Sequence, residues 1–303
     1  MTLKHIAVTN AYGRLQMDIK DQDDPDIVVV SIDGLGSPDG EVNISGGPTF
    51  NGGLLNSSRV GTRKIEMTLA IRKHGPAGDA VRQKIYRHFP ITGTVLFEVQ
   101  TDSRTGYSTM VVTENSMNMF SETQHCVIGL ESEKSYLNRG TNDVVKFYGV
   151  QPLFTFPFSN PSLTENLLVF SEGYDVQEKT ITYDGDVKTG IIFYFDFMDL
   201  TGIIRFYNNT YSEGMSIDPD AVELVMGSPI QAGDRIVVDT RPRHKSATLV
   251  RNGVEYNILH AIERIGGTWI NLYPGPNDIV YLADSGSNNV SMILEHDTLY
   301  EGV

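Results

Sequence analysis

Cysteine and tryptophan are almost absent from this 303-residue sequence, which contains one of each, Cys126 and Trp269. A single cysteine cannot form a disulfide within the chain, and no Cys or His cluster has the spacing of a zinc site. We expect Cys126 to be a buried, inert thiol, and we predict no metal and no cofactor. A run of aspartates before residue 27 lacks the ligand spacing of an EF-hand loop, so it predicts a solvated turn.

Long apolar runs are also missing. No stretch approaches the roughly 18 apolar residues of a membrane-spanning helix, and residues 1–15 lack the continuous apolar core of a signal peptide. We therefore expect synthesis in the cytoplasm of the cell that makes the protein, and no membrane insertion.

Positive charge is scarce, because 24 Lys and Arg stand against 38 Asp and Glu, for a formal net charge of −14. The imbalance is uneven: residues 1–150 carry 15 Lys and Arg against 17 Asp and Glu, a net −2, and residues 151–303 carry 9 against 21, a net −12. An acidic surface repels phosphates, so the sequence disfavours sequence-specific nucleic-acid binding.

Catalytic patterns are absent as well. The seven histidines fall in no nucleophile, zincin or deaminase motif. Ser45 follows Asn43 and Ile44, so it lacks the preceding glycine of a nucleophile elbow. We expect no enzymatic activity; the alternative at this point is an enzyme whose site is dispersed and carries no motif.

Strand and turn formers are what the chain has in quantity, with 14 Tyr, 13 Phe and 29 Gly. Residues 64–71 alternate strictly between apolar and polar, as a half-buried strand does. A chain of this length favours two domains, and we predict a mainly β protein with two β-sandwich-type domains. Predicted strands span residues 27–32, 64–71, 94–100, 107–113, 124–130, 144–150, 165–170, 179–183, 191–198, 203–208, 221–226, 236–238 and 269–272.

One helix is predicted, at about residues 76–89, to cover the sheet of the N-terminal domain. Pro76 suits a first helical turn and Pro90 forces a stop. Apolar residues recur between them at four-residue spacing and form one stripe: Ala77, Val81, Ile85 and Phe89.

The predicted domain boundary is a linker at residues 151–163. Three prolines in this segment exclude a regular helix and a central strand. The N-terminal domain is therefore predicted to span residues 1–150 and the C-terminal domain residues 164–303.

A glycine-rich segment separates the first two predicted strands. Its glycines do not lead from a strand into a helix, so they form no phosphate cradle, and a loop this long in a compact domain is usually functional or disordered. We predict a protruding hairpin that contacts a neighbouring subunit. The glycines are Gly34, Gly36, Gly40, Gly46, Gly47, Gly52 and Gly53.

A β-meander is predicted from residue 233 onward, with a turn at Asn252 and Gly253. The loop that follows Trp269 predicts a tight turn, in which Gly275 supplies positive φ and Asn277 bonds its own backbone. Trp269 itself is predicted to lie in the core, the alternative being an exposed ring that stacks on a sugar.

This late run resembles the C-terminal part of the distal tail proteins of tailed phages. The resemblance covers the last quarter of the chain closely and the rest in outline. The residues that carry it, and to which we assign a structural role, are Gly233, Asp234, Asp239, Thr240, Trp269, Leu272, Pro274, Gly275 and Asn277.

The resemblance implies a hexameric ring at the distal end of a phage tail, with a central channel for DNA and a galectin-like C-terminal domain. It implies a virion protein whose partners are the tail tube, tape measure, tail hub or tail-associated and receptor-binding proteins. The alternative function is a lectin-like, carbohydrate-binding module for attachment to the host cell.

Overall fold

The computed structural model describes residues 2–19, 26–47, 51–118, 124–152, 171–175 and 177–303. The chain forms two compact units, one of residues 1–141 with 299–303 and one of residues 142–298. Of the predicted linker at residues 151–163, only Gln151 and Pro152 are described, and they end a strand. The strand predicted at residues 165–170 and most of the aspartate run lie outside the described residues.

The first unit is built from strands and one helix. In chain order they are β1 Leu3–Asn10, β2 Gly13–Asp18, β3 Ile27–Asp33, β4 Gly40–Gly46, β5 Gly53–Val60, β6 Arg63–Ile71, α1 Gly75–His88, β7 Thr94–Thr101, β8 Thr105–Asn118, β9 Gln124–Ser132 and β10 Leu137–Lys146, which continues into the second unit.

Seven of these strands close on themselves, because β8 pairs with β7 at one end of the order β8-β7-β1-β2-β3-β6-β9 and with β9 at the other. The first half of β8 pairs with β7 and the second half with β9, with a register shift between Val112 and Glu114. One long strand therefore belongs to both layers of a sandwich-type domain.

Helix α1 covers this core as predicted. Val81, Ile85 and Phe89 are at most 6% exposed and pack in the core of the first unit. Ala77, the first member of the predicted stripe, is exposed, and Gly78 is buried in its place. The prediction of a single covering helix is confirmed within the described part of this unit.

The second unit holds the remaining elements. They are β11 Tyr148–Pro152, β12 Ser171–Asp175, β13 Glu178–Tyr183, β14 Thr189–Phe197, β15 Ile204–Asn208, β16 Glu213–Ile217, α2 Pro219–Met226, β17 Arg235–Asp239, β18 Ser246–Arg251, β19 Val254–Asn257, β20 Ile262–Ile265, β21 Asn271–Leu272, β22 Gly275–Ala283 and β23 Val290–Tyr300, the last of which ends in the first unit.

Two sheets pack face to face in the second unit, one in the order β19-β18-β17-β14-β23 and one in the order β13-β22-β15-β16-β20. Phe206 of β15 lies with its ring centroid 4.9 Å from that of Phe193 and 5.1 Å from that of Phe195, both on β14. All three side chains are fully buried. The aromatic face of β14 therefore lies at the centre of the sandwich.

The predicted β-meander is confirmed, because β17, β18 and β19 pair successively in antiparallel register. The turn between β18 and β19 places Asn252 at φ 52° and Gly253 at φ 77°. Positive φ at both central residues is the signature of a type I′ turn, which explains why an Asn-Gly pair predicts this hairpin.

The strand predicted at residues 221–226 is wrong, since these residues form helix α2. The Asp218 side chain accepts a hydrogen bond from the N–H of Asp220 at 3.0 Å and caps the helix, and Gly227 ends it at φ 66°. Val222, Leu224 and Met226 stand at alternate positions, which is typical of a strand. In the helix, only Val222 is fully buried. The capping residues outweigh the alternation.

Two other strand predictions need correction. The strand predicted at residues 144–150 is two strands, β10 and β11, interrupted at the buried Phe147, whose N–H bonds the carbonyl of Met292 at 2.9 Å. The strand predicted at residues 269–272 is reduced to Asn271–Leu272. The side-chain pattern is apolar in both places, but the backbone bonds differ from those of the predicted strand. The carbonyls of Trp269 and Ile270 accept hydrogen bonds from the side chains of Asn271 and Thr240.

Candidate assembly surfaces

Strands β4 and β5 form a hairpin, which we call the arm, and among the described residues they pair only with each other. Every residue of both strands is exposed. An isolated two-stranded hairpin is marginally stable in water. The arm is therefore a surface that another molecule can cover.

The two faces of the arm differ in chemistry. In the paired register, Ile44 lies opposite Leu55, and Val42 and Val60 share their face. These four side chains are 44–61% exposed. The other face is mainly polar, with an ion pair between Arg59 and Glu41 at 2.6 Å and contacts among Asn43, Ser45 and Asn56. It also carries one exposed apolar side chain, Leu54, which lies opposite Ser45. The arm is amphipathic, and its apolar face is uncovered by the described residues.

The root of the arm is held by Arg63, a fully buried residue at the start of β6. Its guanidinium donates to the carbonyls of Gly34 at 2.8 Å, Gly36 at 2.9 Å, Ser135 at 3.0 Å and Glu301 at 2.6 Å. Burial lowers the pKa of Arg63, and the charge of Glu301 opposes that shift. The Arg63 side chain thus joins three segments: the residues before the arm, the loop at Ser135 and the C-terminal segment at Glu301.

The glycines of the predicted arm lie in the β4–β5 hairpin and in the segment that leads into it. Gly34 has φ 88°, and a Cβ there would lie 1.9 Å from the carbonyl oxygen of Lys64, so only glycine fits. Gly52 has φ 98° where the chain enters β5. The remaining members lie along the arm or lead into it: Gly36, Gly40, Gly46, Gly47 and Gly53.

The signature residues of the late run lie together in the second unit. Asp234, 3% exposed, accepts two hydrogen bonds from Arg251 at 2.6 and 2.8 Å. Thr240, 1% exposed, joins β14 to the segment before β21, because its hydroxyl bonds the backbone of Ile191 and Ile270. Gly233 has φ 90° in the turn before β17. These residues join structural elements to one another.

Asp239 and Leu272 also stabilise the fold of the second unit. The carboxylate of Asp239 accepts from the backbone N–H of Arg241 at 2.9 Å and from its guanidinium at 2.7 Å. Because of this bond and the field of nearby carboxylates, the pKa of Arg241 is raised. Leu272 is fully buried in the core.

Asn277 makes four hydrogen bonds with its side chain. Its fully buried amide accepts from Asn208 at 2.9 Å and from the N–H of Tyr273 at 3.0 Å, and it donates to the carbonyls of Tyr273 at 2.7 Å and Gly275 at 2.9 Å. Gly275 has φ 95° and follows Pro274. The predicted tight turn is confirmed.

Glu213 extends this network and is a residue that the sequence did not single out. Its buried carboxylate accepts from the hydroxyl of Tyr273 at 2.7 Å and from the N–H of Asn271 at 2.7 Å. Burial, followed by this hydrogen bond, raises the pKa of Tyr273 to about 12. The phenol therefore remains a hydrogen-bond donor at every physiological pH.

Replacing Asn277 with alanine is expected to lower the free energy of unfolding of the second unit by about 2–4 kcal/mol, because it leaves buried donors and acceptors unpaired. Asn257→Ala is the control, since that exposed side chain bonds one N–H, of Leu259, and should cost at most about 1 kcal/mol. Urea unfolding followed by the fluorescence of the single tryptophan, which lies in this unit, measures both. Equal losses would contradict a structural role for Asn277.

Trp269 is half-buried against the core, and Ile270 takes the fully buried position. The prediction of a core tryptophan is corrected accordingly. Lys245 Nζ lies 5.6 Å and Arg264 Cζ 5.9 Å from its ring centroid. An adjacent cavity of about 240 Å³ is lined by Leu259, Ile262, Arg264 and Trp269.

Cys126 is buried in the first unit, as predicted. Burial, and then the charge of Glu114, raises the pKa of its thiol to about 11, so it remains protonated. Among the described residues, His, Cys, Asp and Glu form no group of three or more that could hold a metal ion. No helix in the same part of the chain has the length and apolar character needed to cross a membrane.

Comparison with known proteins finds similarity in structure alone. No family model matches the chain, and no curated protein matches its sequence. The Dit (gp 19.1) protein of phage SPP1, described as a paradigm of the hub adsorption apparatus in phages that infect Gram-positive bacteria, matches with a TM-score of 0.57 at 10% identity, over 89% of this chain and 92% of that one.

Two further matches are to the baseplate of phage P2 in its activated conformation. The structure with Ca matches with a TM-score of 0.46 at 10% identity over 100% of both chains. The structure with Sr matches with a TM-score of 0.45 at 9% identity over 99% of both chains. The structural neighbours are thus phage Dit and baseplate proteins, and this chain has the fold of the SPP1 Dit protein, as its late sequence run predicted.

Proposed function

We propose that this chain is a structural protein of a phage tail tip, in which six copies form a ring around a channel for DNA. The observation that carries the proposal is the arm, whose apolar face is left uncovered by the part of the chain that the structure describes. The fold shared with a phage hub protein supports it. Ring contacts are heterologous, and a rooted arm that reaches a different patch of its neighbour suits that geometry.

Charge supports an arrangement with the N-terminal parts inside the ring. Residues 1–150 carry a net −2 and residues 151–303 a net −12. Six copies of the near-neutral part repel one another far less at close range than six copies of the acidic part. The acidic parts therefore face outward, where they meet other components.

In this role the ring links the tail tube to the tail-tip hub and the receptor-binding machinery. Its partners are the tail tube, tape measure, tail hub or tail-associated and receptor-binding proteins. The protein is made in the host cytoplasm, becomes part of the virion, and performs no catalysis. DNA passes through the channel without sequence-specific contacts, in keeping with the net charge of −14.

Light scattering coupled to size exclusion, with negative-stain imaging, tests the ring. We expect a mass six times the 33.6 kDa of one chain and annular particles. A protein that remains monomeric at high concentration would contradict the ring.

The lectin-like alternative draws support only from the half-exposed Trp269. Aromatic rings can stack on sugars, but sugar hydroxyls need several polar partners. Of the four residues that line the adjacent cavity, Leu259 and Ile262 supply none, and Arg264 and Trp269 supply donors but no acceptors. A glycan array on the wild type and Trp269→Ala tests this alternative. Binding that disappears in the variant would favour attachment by sugar recognition.

A further inference from the structure

Two cations lie beside Trp269, whereas four arginines elsewhere in the second unit form ion pairs. Arg205, Arg235, Arg241 and Arg251 each pair with an aspartate. In contrast, Lys245 and Arg264 have no carboxylate partner among the described residues, and both lie within 6 Å of the centroid of the Trp269 ring. In the acidic half of the chain, two cations free of such partners concentrate positive potential at one aromatic ring.

The cavity at this ring is small and mainly apolar. It measures about 240 Å³ and is lined by Leu259, Ile262, Arg264 and Trp269. Drug-sized ligands occupy pockets of roughly 300–1,000 Å³, so this cavity fits a single side chain or ring. Leu259 is itself 42% exposed, which extends the apolar surface beyond the cavity.

We infer that this surface binds an acidic segment of a partner protein, with an apolar side chain in the cavity and a neighbouring carboxylate on Arg264 and Lys245. Tryptophan and arginine are among the residues enriched at the energetic centres of protein interfaces. The guanidinium of Arg264 can bond a carboxylate in bidentate fashion. This site goes beyond the proposed ring and does not depend on it.

The protein partner is favoured over an anionic saccharide by the lining. A sugar needs donors and acceptors for several hydroxyl groups, whereas an aliphatic side chain needs none. Leu259 and Ile262 offer only apolar atoms in their side chains. Lys245 and Arg264 then select a partner segment that carries a negative charge next to the apolar side chain in the cavity.

A selection experiment tests the inference without knowledge of the natural partner. Random twelve-residue peptides displayed on yeast are selected with the full-length protein and counter-selected with Arg264→Glu. We expect the enriched peptides to combine Asp or Glu with a large aliphatic or aromatic residue. The fluorescence of Trp269, the only tryptophan of the chain, should change saturably as each synthetic peptide binds.

Two variants with the same change in charge separate a local contact from the general field. Arg264→Glu is expected to weaken peptide binding by about tenfold or more. Lys179→Glu, on strand β13 at the other end of the same sheet, should leave binding nearly unchanged. Added salt should weaken binding to the wild type, since the partially exposed charges are screened.

Three outcomes overturn the inference. The first is a selection that enriches no acidic peptides, and the second is peptides that bind Arg264→Glu as well as they bind the wild type. The third is binding to acidic glycans on an array that requires Arg264 while no peptide binds, which would assign the site to a saccharide. None of these outcomes affects the mass or shape of the ring, so failure here and failure of the proposed function are distinguishable.

Discussion

Arg63→Met is expected to lower the free energy of unfolding of the first unit by about 3 kcal/mol and to loosen the root of the arm. The guanidinium donates four hydrogen bonds to backbone carbonyls, at 2.6–3.0 Å. Methionine fills much of the same volume and donates none. The four carbonyls then lose their partner together, which costs about 1–3 kcal/mol for each that water cannot reach.

Two effects keep this loss below the sum of four separate bonds. Removing a buried cation also removes its desolvation cost. Gly34, Gly36 and Glu301 are exposed residues, so water can reach some of the released carbonyls. We therefore expect local opening as well as lower stability, with faster amide exchange at residues 34–36 and 301–303 than in the wild type.

Lys64→Met is the matched control for this substitution. Lys64 is the next residue on the same strand and is exposed, so its replacement should change stability by at most about 0.5 kcal/mol. Arg63→Lys separates charge from geometry, because a lysine carries the charge but lacks the planar fork of donors. We expect it to restore only part of the loss. An Arg63→Met protein that is as stable as the control would show that water replaces the guanidinium fully.

Sequence reasoning located strands best where one face is buried and the other is solvated. Residues 64–71 alternate in sequence, and β6 spans Arg63–Ile71 with alternate residues buried along most of its length. Strand β1 was not predicted, since Ile6, Ala7 and Val8 are all fully buried and break the alternation. A strand buried on both faces has no period for a sequence pattern to detect.

The candidate site shows a similar division. The Asn277 turn was predictable because glycine, proline and asparagine act through their own backbone. The roles of Arg63 and Glu213 were not, since each bonds groups far away in sequence, such as Arg63 with Glu301. The partial burial of Trp269 depends on which neighbours the fold brings to it, and its sequence neighbours do not encode that.

Exchanging the apolar face of the arm for a charged pair should abolish the ring while the subunit stays folded. The variant carries Ile44→Glu and Leu55→Lys, at positions that lie opposite each other. Both native side chains are about 60% exposed in the single chain, at 61% and 58%. The exchange therefore removes little buried apolar surface from the single subunit, and the new pair of opposite charges stabilises the hairpin.

In the ring, the same exchange acts at every subunit contact. Covering an isoleucine or leucine is worth about 1.5–3 kcal/mol when burial is complete, and the variant also places two charges where a dry contact is needed. Net charge is unchanged, so long-range repulsion between subunits cannot explain a loss of assembly. Light scattering should report monomers at protein concentrations where the wild type forms rings.

The control makes the same exchange of charges on the other face of the arm. Asn43 and Ser57 also lie opposite each other, and Asn43→Glu with Ser57→Lys alters the polar face only. This control should assemble like the wild type, because no apolar contact is removed. If both variants form rings, the arm is not part of the ring contact. If both variants are monomeric, assembly depends on both faces of the hairpin, and the specific role predicted for its apolar face is wrong.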